Sequence, residues 1–153
     1  MSQNDLEVRL EIRINASPKM VFTLLTNPAH MRTWLAEFVE ADARPGGVFR
    51  ISGPVGVSIE GTYLEVIPDQ KVVFTWGGVE GVKPGESTVE FLLEPVGDGT
   101  LVRLRHYRLP EGAIDSHRRG WIESGLAKLK DAAEGRKPAN LCLSELARAR
   151  GAA

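Results

Sequence analysis

Leu6, Val8, Leu10, Ile12 and Ile14 alternate with Glu7, Arg9, Glu11 and Arg13. Apolar positions two apart predict a strand with one face in the core and one in water. Asn15-Ala16-Ser17-Pro18 stops it, with Ser17 placed to cap a helix whose first turn tolerates Pro18. Val21, Phe22, Leu24 and Leu25 follow at helical spacing, and Thr26-Asn27-Pro28 closes that helix and opens a second, with Met31, Trp34, Leu35 and Phe38 on one side. Strands are then expected at Val39–Ala43, Val48–Ser52, Val57–Ile67, Lys71–Trp76, Ser87–Glu94 and Thr100–Leu109, separated by Gly- and Pro-bearing turns. These connections are too short for crossover helices, so the pairing is antiparallel. In the third of these strands Val57, Ile59, Gly61 and Tyr63 share a face, yet Leu64 and Val66 carry the pattern onward. A one-residue slip reverses faces, so a bulge is expected near Gly61–Leu64. Ile114 to Glu134 reads as one long helix with Ile122, Leu126, Leu129 and Ala133 facing inward, and Gly135 is placed to stop it. After Pro138 a shorter amphipathic piece holds Cys142, Leu143, Leu146 and Ala147.

The order is strand, two short helices, six strands, one long helix: an α+β chain in which one helix must cover the apolar face of a curved antiparallel sheet of about seven strands. At 153 residues, 42% apolar and 25% charged, the chain has the length and composition of one globular domain. We assign residues 1–137 to that domain and 138–153 to a short helical extension. The net charge of −1 provides no global field toward nucleic acid or an anionic membrane. The basic excess within residues 101–153, 11 basic against 6 acidic side chains, reads as a solvated helix face. Cys142 is the only cysteine, which fits a reducing cytoplasm. Met1 to Arg9 has no apolar signal-peptide core, and no run reaches the ~18 apolar residues of a membrane helix.

A single helix cannot fill a strongly curved sheet, so a hollow is expected between them. The inward strand positions are large and apolar: Phe49 and Ile51; Ile59 and Tyr63; Val72, Phe74 and Trp76; Val89, Phe91 and Leu93; Val102, Leu104 and His106. Gly120, Ser124 and Gly125 lie beside Trp121 in the covering helix. Glycine in a helix interior costs roughly 1 kcal/mol against alanine, so close packing or space for a ligand is the expected return.

Four segments in order resemble a known family. Val39 to Arg50, with its Arg44-Pro45-Gly46-Gly47 hairpin, is similar to the corresponding hairpin of SRPBCC (START-like, helix-grip) domains. The branch named after the activator of the heat-shock-protein-90 ATPase is the one resembled. Gly61 to Pro68 followed by Val73-Phe74-Thr75-Trp76 is similar to its central strands, Thr100 to His106 to its last strand, and Gly120-Trp121 with Leu126 and Leu129 to its final helix. The resemblance covers about residues 5–135; the chain from Pro138 onward departs from the pattern, as a lid, a packing strut or a partner contact. It implies a helix-grip fold with a pocket for an apolar small molecule and, usually, no catalytic chemistry. Relatives in this superfamily include lipid carriers, polyketide cyclases and chaperone cofactors, and fold alone does not choose among them.

His106 shares the face of Leu104 and Val102, and is read as a core histidine satisfied by its neighbours, a ligand anchor, or a general base. The base role needs a second ionisable group in reach, with Glu65 or Arg50 the nearest candidates. The expected ligand site comprises Trp34, Phe49, Ile51, Tyr63, Trp76, Phe91, Leu104, His106, Trp121 and Gly125, with His106 and Tyr63 fixing orientation. No catalytic residue is assigned. Asp115-Ser116-His117 carries triad letters on consecutive helical positions that point apart. His30, His106 and His117 lack metal-ligand spacing, and no cofactor is expected. The glycine-rich Gly77–Gly85 joins two strands instead of feeding a helix, so it is expected to be a mobile flap, not a phosphate loop. The reading is non-enzymatic binding of a hydrophobic or aromatic, lipid- or polyketide-like molecule. The alternatives are a cyclase- or hydrolase-type enzyme using His106, and a chaperone- or stress-related module. Neither nucleic acid nor membrane insertion is expected; a homodimer or a protein partner would engage the C-terminal tail.

Overall fold

The computed structural model describes residues 7–54, 56–79 and 81–144. Leu6, Leu146 and Ala147 of the patterns above lie outside the described residues, as does the remainder of 145–153, the end of the 138–153 extension. Strand β1 (Val8–Ile14) is followed by α1 (Pro18–Thr26) and the one-turn α2 (Pro28–Met31). Six strands come next: β2 (Phe38–Ala41), β3 (Val48–Ser52), β4 (Ser58–Ile67), β5 (Lys71–Trp76), β6 (Ser87–Val96) and β7 (Gly99–Tyr107). The seven strands form one antiparallel sheet in the order β1-β7-β6-β5-β4-β3-β2. β1 therefore closes against the last strand, and the helical excursion through α1 and α2 carries the chain to the opposite edge.

Ser17 caps α1, its Oγ accepting from the Met20 N–H at 3.1 Å, with Pro18 in the first turn. Asn27 serves both helices: its N–H donates to the Thr23 carbonyl, and its Oδ1 accepts from the N–H groups of Ala29 and His30. The bulge falls where the pattern changes phase. Tyr63 pairs with Phe74 but Glu65 with Val73, so Leu64 is the extra residue and turns outward.

The second helix is shorter than the pattern predicts. Met31, Trp34, Leu35 and Ala36 are buried, but Phe38 opens β2 and is 64% exposed. The reason lies far along the chain. The carbonyls of Trp34 and Leu35 accept the N–H groups of Cys142 and Leu143, at 2.9 and 3.0 Å, in place of helical partners. Residues 138–143 thus run back as a strap, with Pro138 and Leu143 buried and Leu143 part of the core.

The covering helix is continuous but not uniform: α3 (Ile114–Gly120), a π turn (Trp121–Gly125) and α4 (Leu126–Ala133). In an α-helix Ile122 would sit one turn above Leu126. Here the Leu126 N–H donates to the Trp121 carbonyl, five residues back, so Trp121 takes that inward place. Trp121 is buried and Ile122 is 53% exposed, which corrects the expected inward stripe. Gly125 marks the same event: a Cβ there would lie 2.4 Å from Trp121 Cε3, so the glycine is needed by the folded-back indole and not by the sheet.

The described residues of the Gly77–Gly85 segment are tied down, contrary to the expected flap. Val79 and Val82 are core residues. Backbone bonds run from Gly78 N–H to the Val82 carbonyl (2.7 Å), from Glu60 N–H to the Gly77 carbonyl (2.9 Å) and from Gly85 N–H to the Glu60 carbonyl (3.1 Å).

Candidate functional site

Where the covering helix meets α1 and α2, nine side chains converge: Leu25, Met31, Trp34, Leu35, Phe49, Phe74, Trp76, Phe91 and Trp121. Alternation along β3, β5 and β6 aims the four sheet residues inward, while the π turn swings Trp121 down from the opposite side. Five of the six rings, all but that of Trp34, form a continuous chain of contacts. Phe49 stacks on Phe74 at 4.1 Å between centroids, Phe91 meets Trp121 edge-on at 5.8 Å, and Trp76 lies 5.5 Å from Trp121. The space between them is about 10 Å³, close to what one water needs. Among the described residues, this part of the expected hollow is closed. Aromatic rings fill it, and the extra residue of the π turn supplies the last of them.

The polar wiring behind this box is specific. An indole N–H only donates, so the 3.0 Å contact from Trp121 Nε1 makes His106 Nδ1 the acceptor. The neutral ring then carries its proton on Nε2 and donates to Ser87 Oγ at 2.8 Å, and the Ser87 hydroxyl donates to the Trp76 carbonyl at 2.7 Å. Burial, with the neighbouring His117 second, pushes the His106 pKa well below the usual histidine value. The two imidazoles sit edge to face, 5.1 Å apart. Such a ring has no open lone pair with which to take a proton from a substrate. The second ionisable group beside it is His117. Arg50 is instead paired on the outer face with Glu60 (3.0 Å), and Glu65 with Lys71 (2.9 Å).

Of the residues expected to form the site, Trp34, Phe49, Trp76, Phe91 and Trp121 line the small cavity. Gly125 lies under the Trp121 ring. Ile51, Leu104, Tyr63 and His106 are buried but are not among its lining side chains. Tyr63 does not hold out a free phenol: its hydroxyl donates to the Leu25 carbonyl at 3.1 Å, and burial pushes its pKa upward. Trp34 Nε1 donates to the Leu24 carbonyl at 2.9 Å. Leu25, Met31, Leu35 and Phe74 complete the lining; all four stand in the inward patterns of their own segments. Trp76 Nε1, in contrast, is buried with no hydrogen-bond partner among the described residues. Also among the described residues, no group of three or more His, Cys, Asp or Glu is placed to hold a metal ion, and no helix is long and apolar enough to cross a membrane.

A seven-stranded antiparallel sheet closed over by one long C-terminal helix, with two short helices between its first two strands, is the helix-grip architecture of SRPBCC proteins. Residues 15–134 match the family described as activator of Hsp90 ATPase homolog 1-like protein, and the chain belongs to that family. The AHSA1-like protein of Rhizobium etli is similar in structure at 33% identity, with a TM-score of 0.68 over 88% of this chain and 85% of that one. A protein of Mesorhizobium loti matches at 25% identity and a TM-score of 0.73, over 82% of this chain and 95% of its own. The Aha1 dimer of Colwellia psychrerythraea shares the fold at 24% identity, with a TM-score of 0.75 over 86% and 98% of the two chains. No curated protein matches the sequence.

Proposed function

We propose that this chain binds an apolar, ring-bearing small molecule without covalent chemistry, in the interior between the sheet and its helices, and that it does so in the cytoplasm. The observation that supports this most is the convergence of six aromatic side chains from β3, β5, β6, the α2–β2 loop and the π turn on one small cavity. The guest does not enter a ready hollow. It displaces rings, and its affinity comes from apolar area removed from water, at about 25 cal/mol per Å² before the costs of binding and opening. The catalytic alternative loses its base, because both His106 nitrogens are committed to Trp121 and Ser87. Protein purified from its own cells without detergent, and weighed by native mass spectrometry, tests the reading. A co-purifying neutral adduct, or thermal stabilisation by neutral aromatic compounds, supports it. A bare chain that no such compound stabilises contradicts it.

A second reading, a module that docks on another protein, is favoured by the closed interior together with Phe38, 64% exposed on edge strand β2. One structural neighbour, from Plasmodium falciparum, is described as an HSP90 activator, and the Colwellia neighbour as a dimer. On this reading Phe38→Ser weakens self-association, or association with the Hsp90 of the same cell, in sedimentation velocity. Unchanged sedimentation of the variant contradicts it.

A further inference from the structure

The covering helix carries two inward lines that do not share a register. Ile114, His117 and Trp121 are buried at steps of three and four residues, and Leu126 and Leu129 at a step of three. Between the lines lies a step of five, from Trp121 to Leu126, which the π turn absorbs. Continued backward at a regular step of four, the second line begins at Ile122, left 53% exposed beside the buried Trp121. Moving the five-residue step one turn earlier, to His117–Ile122, gives the same helix a second inward line: Ile114, His117, Ile122, Leu126 and Leu129. Each arrangement contains a single π turn, and each keeps Ile114, His117, Leu126 and Leu129 in place. Only the segment between His117 and Leu126 rotates, exchanging Trp121 for Ile122.

Two features of that segment fit a helix with two settings. Gly120 and Gly125 flank Trp121, and glycine weakens a helix more than any residue except proline. The Trp121 ring needs Gly125, but a Cβ at Gly120 would meet nothing within 4 Å, so no neighbour demands a glycine there. Ser124 Oγ is buried with no hydrogen-bond partner among the described residues. A helical serine can reach back to the carbonyl four residues earlier, here that of Gly120, and a π turn moved toward His117 restores the regular turn that allows it. The observed setting is held by Trp121 itself, which donates to His106 Nδ1 at 3.0 Å and packs against Phe91 and Trp76.

We propose that the covering helix switches between two registers, one with Trp121 inward and the box closed, and a minor one with Ile122 inward and the indole in solvent. The minor register replaces an indole by a smaller aliphatic side chain, so the interior opens without movement of the sheet or of the strap at 138–143. The switch belongs to the chain alone and needs no ligand.

Relaxation-dispersion NMR of the full chain, with 5-fluorotryptophan and carbon-13 isoleucine methyl groups, tests it, because helix register shifts run on the microsecond-to-millisecond scale this method reads. Trp121 and Ile122 should exchange at one shared rate with one shared minor population of about 1% or more. Trp34, whose indole is held by the Leu24 carbonyl, should show no such exchange. Ile122→Glu, on a half-exposed side chain, should leave the fold intact and abolish the Trp121 exchange, because a carboxylate cannot take the inward place. Gly125→Ala should raise the minor population about fivefold or more, because its Cβ crowds only the register with Trp121 inward. No exchange at Trp121 in the parent, different rates at Trp121 and Ile122, exchange that persists in Ile122→Glu, or an unchanged population in folded Gly125→Ala overturns the switch. Should Gly125→Ala fail to fold, the parent and Ile122→Glu decide between one register and two.

Discussion

Gly120 and Gly125 lie five residues apart in the same helix, yet replacing each with alanine should move stability in opposite directions. At Gly120 the backbone is right-handed helical (φ −59°, ψ −43°) and a Cβ meets nothing within 4 Å. Gly120→Ala therefore realises the ordinary helical gain of about 0.5–1 kcal/mol. At Gly125 the same Cβ would lie 2.4 Å from Trp121 Cε3 and 2.9 Å from Cζ3. Carbon atoms prefer roughly 3.5–4.0 Å, so the indole must retreat by about 1 Å. It has nowhere to go: Phe91 meets it edge-on, Trp76 lies 5.5 Å away, and its N–H is tethered to His106. Overpacking costs about 1–3 kcal/mol, and a lost hydrogen bond adds about 0.5–1.5. Against a helical gain of about 1 kcal/mol, Gly125→Ala comes out destabilising by about 1–3 kcal/mol. In a domain of this size that lowers Tm by roughly 2–12 °C, while Gly120→Ala raises it by about 1–4 °C. Urea unfolding followed by tryptophan fluorescence, with Tm from circular dichroism, measures both. If Gly125→Ala stabilises as much as Gly120→Ala, Trp121 does not fold back over Gly125, and the account of the π turn is wrong.

Three further outcomes follow from other parts of the fold. His106 stays neutral when folded, so its contribution is fully present above the ordinary histidine value near 6.5 and is lost progressively as pH falls below it toward the depressed folded value. Urea unfolding from pH 7.5 to 5.5 should show this loss, at up to about 1.4 kcal/mol per pH unit, and His106→Gln should flatten the profile; an equally steep profile in the variant assigns the effect elsewhere. Leu143 is 1% exposed in the core, so Leu143→Ala should cost about 2–5 kcal/mol, and ending the chain after Lys137 should cost at least as much, because the Trp34 and Leu35 carbonyls lose their partners. A truncated chain with an unchanged melting temperature contradicts the strap. Ile122→Ser, on a half-exposed side chain, should change stability by less than about 0.5 kcal/mol, whereas a core-sized loss would restore the regular helical stripe.

The alternation of β1, the capping by Ser17 and the phase change at Leu64 are local signals, and each appears in the structure where the residues place it. What escaped the sequence depends on contacts distant along the chain. Trp121 and Ile122 are adjacent and both apolar, so periodicity alone favoured the residue that continues the 3.6-residue stripe. The choice is reversed by a glycine whose missing Cβ admits the indole. Phe38 looked helical because the run from Met31 keeps the period, but the Trp34 and Leu35 carbonyls are claimed by Cys142 and Leu143, more than a hundred residues away. The site was legible as a set of inward aromatics, and its wiring was not. His117 was set aside with Asp115 and Ser116 as a failed triad, although its four-residue spacing to Trp121 was a signal that both belong to one inward stripe beside His106. Tyr63 and His106 looked like ligand anchors because they are polar on an apolar face; both prove to be satisfied by the protein, while Trp76 Nε1 has no hydrogen-bond partner among the described residues.

The claim that a guest enters the aromatic interior is tested most directly by fluorine NMR of the chain labelled with 5-fluorotryptophan, which reports on all three tryptophans. Titration with 9-fluorenone should give saturable shifts of the Trp76 and Trp121 resonances at one common midpoint. If all three resonances stay fixed up to the solubility limit of the probe, the box is a solid core and the binding account is contradicted.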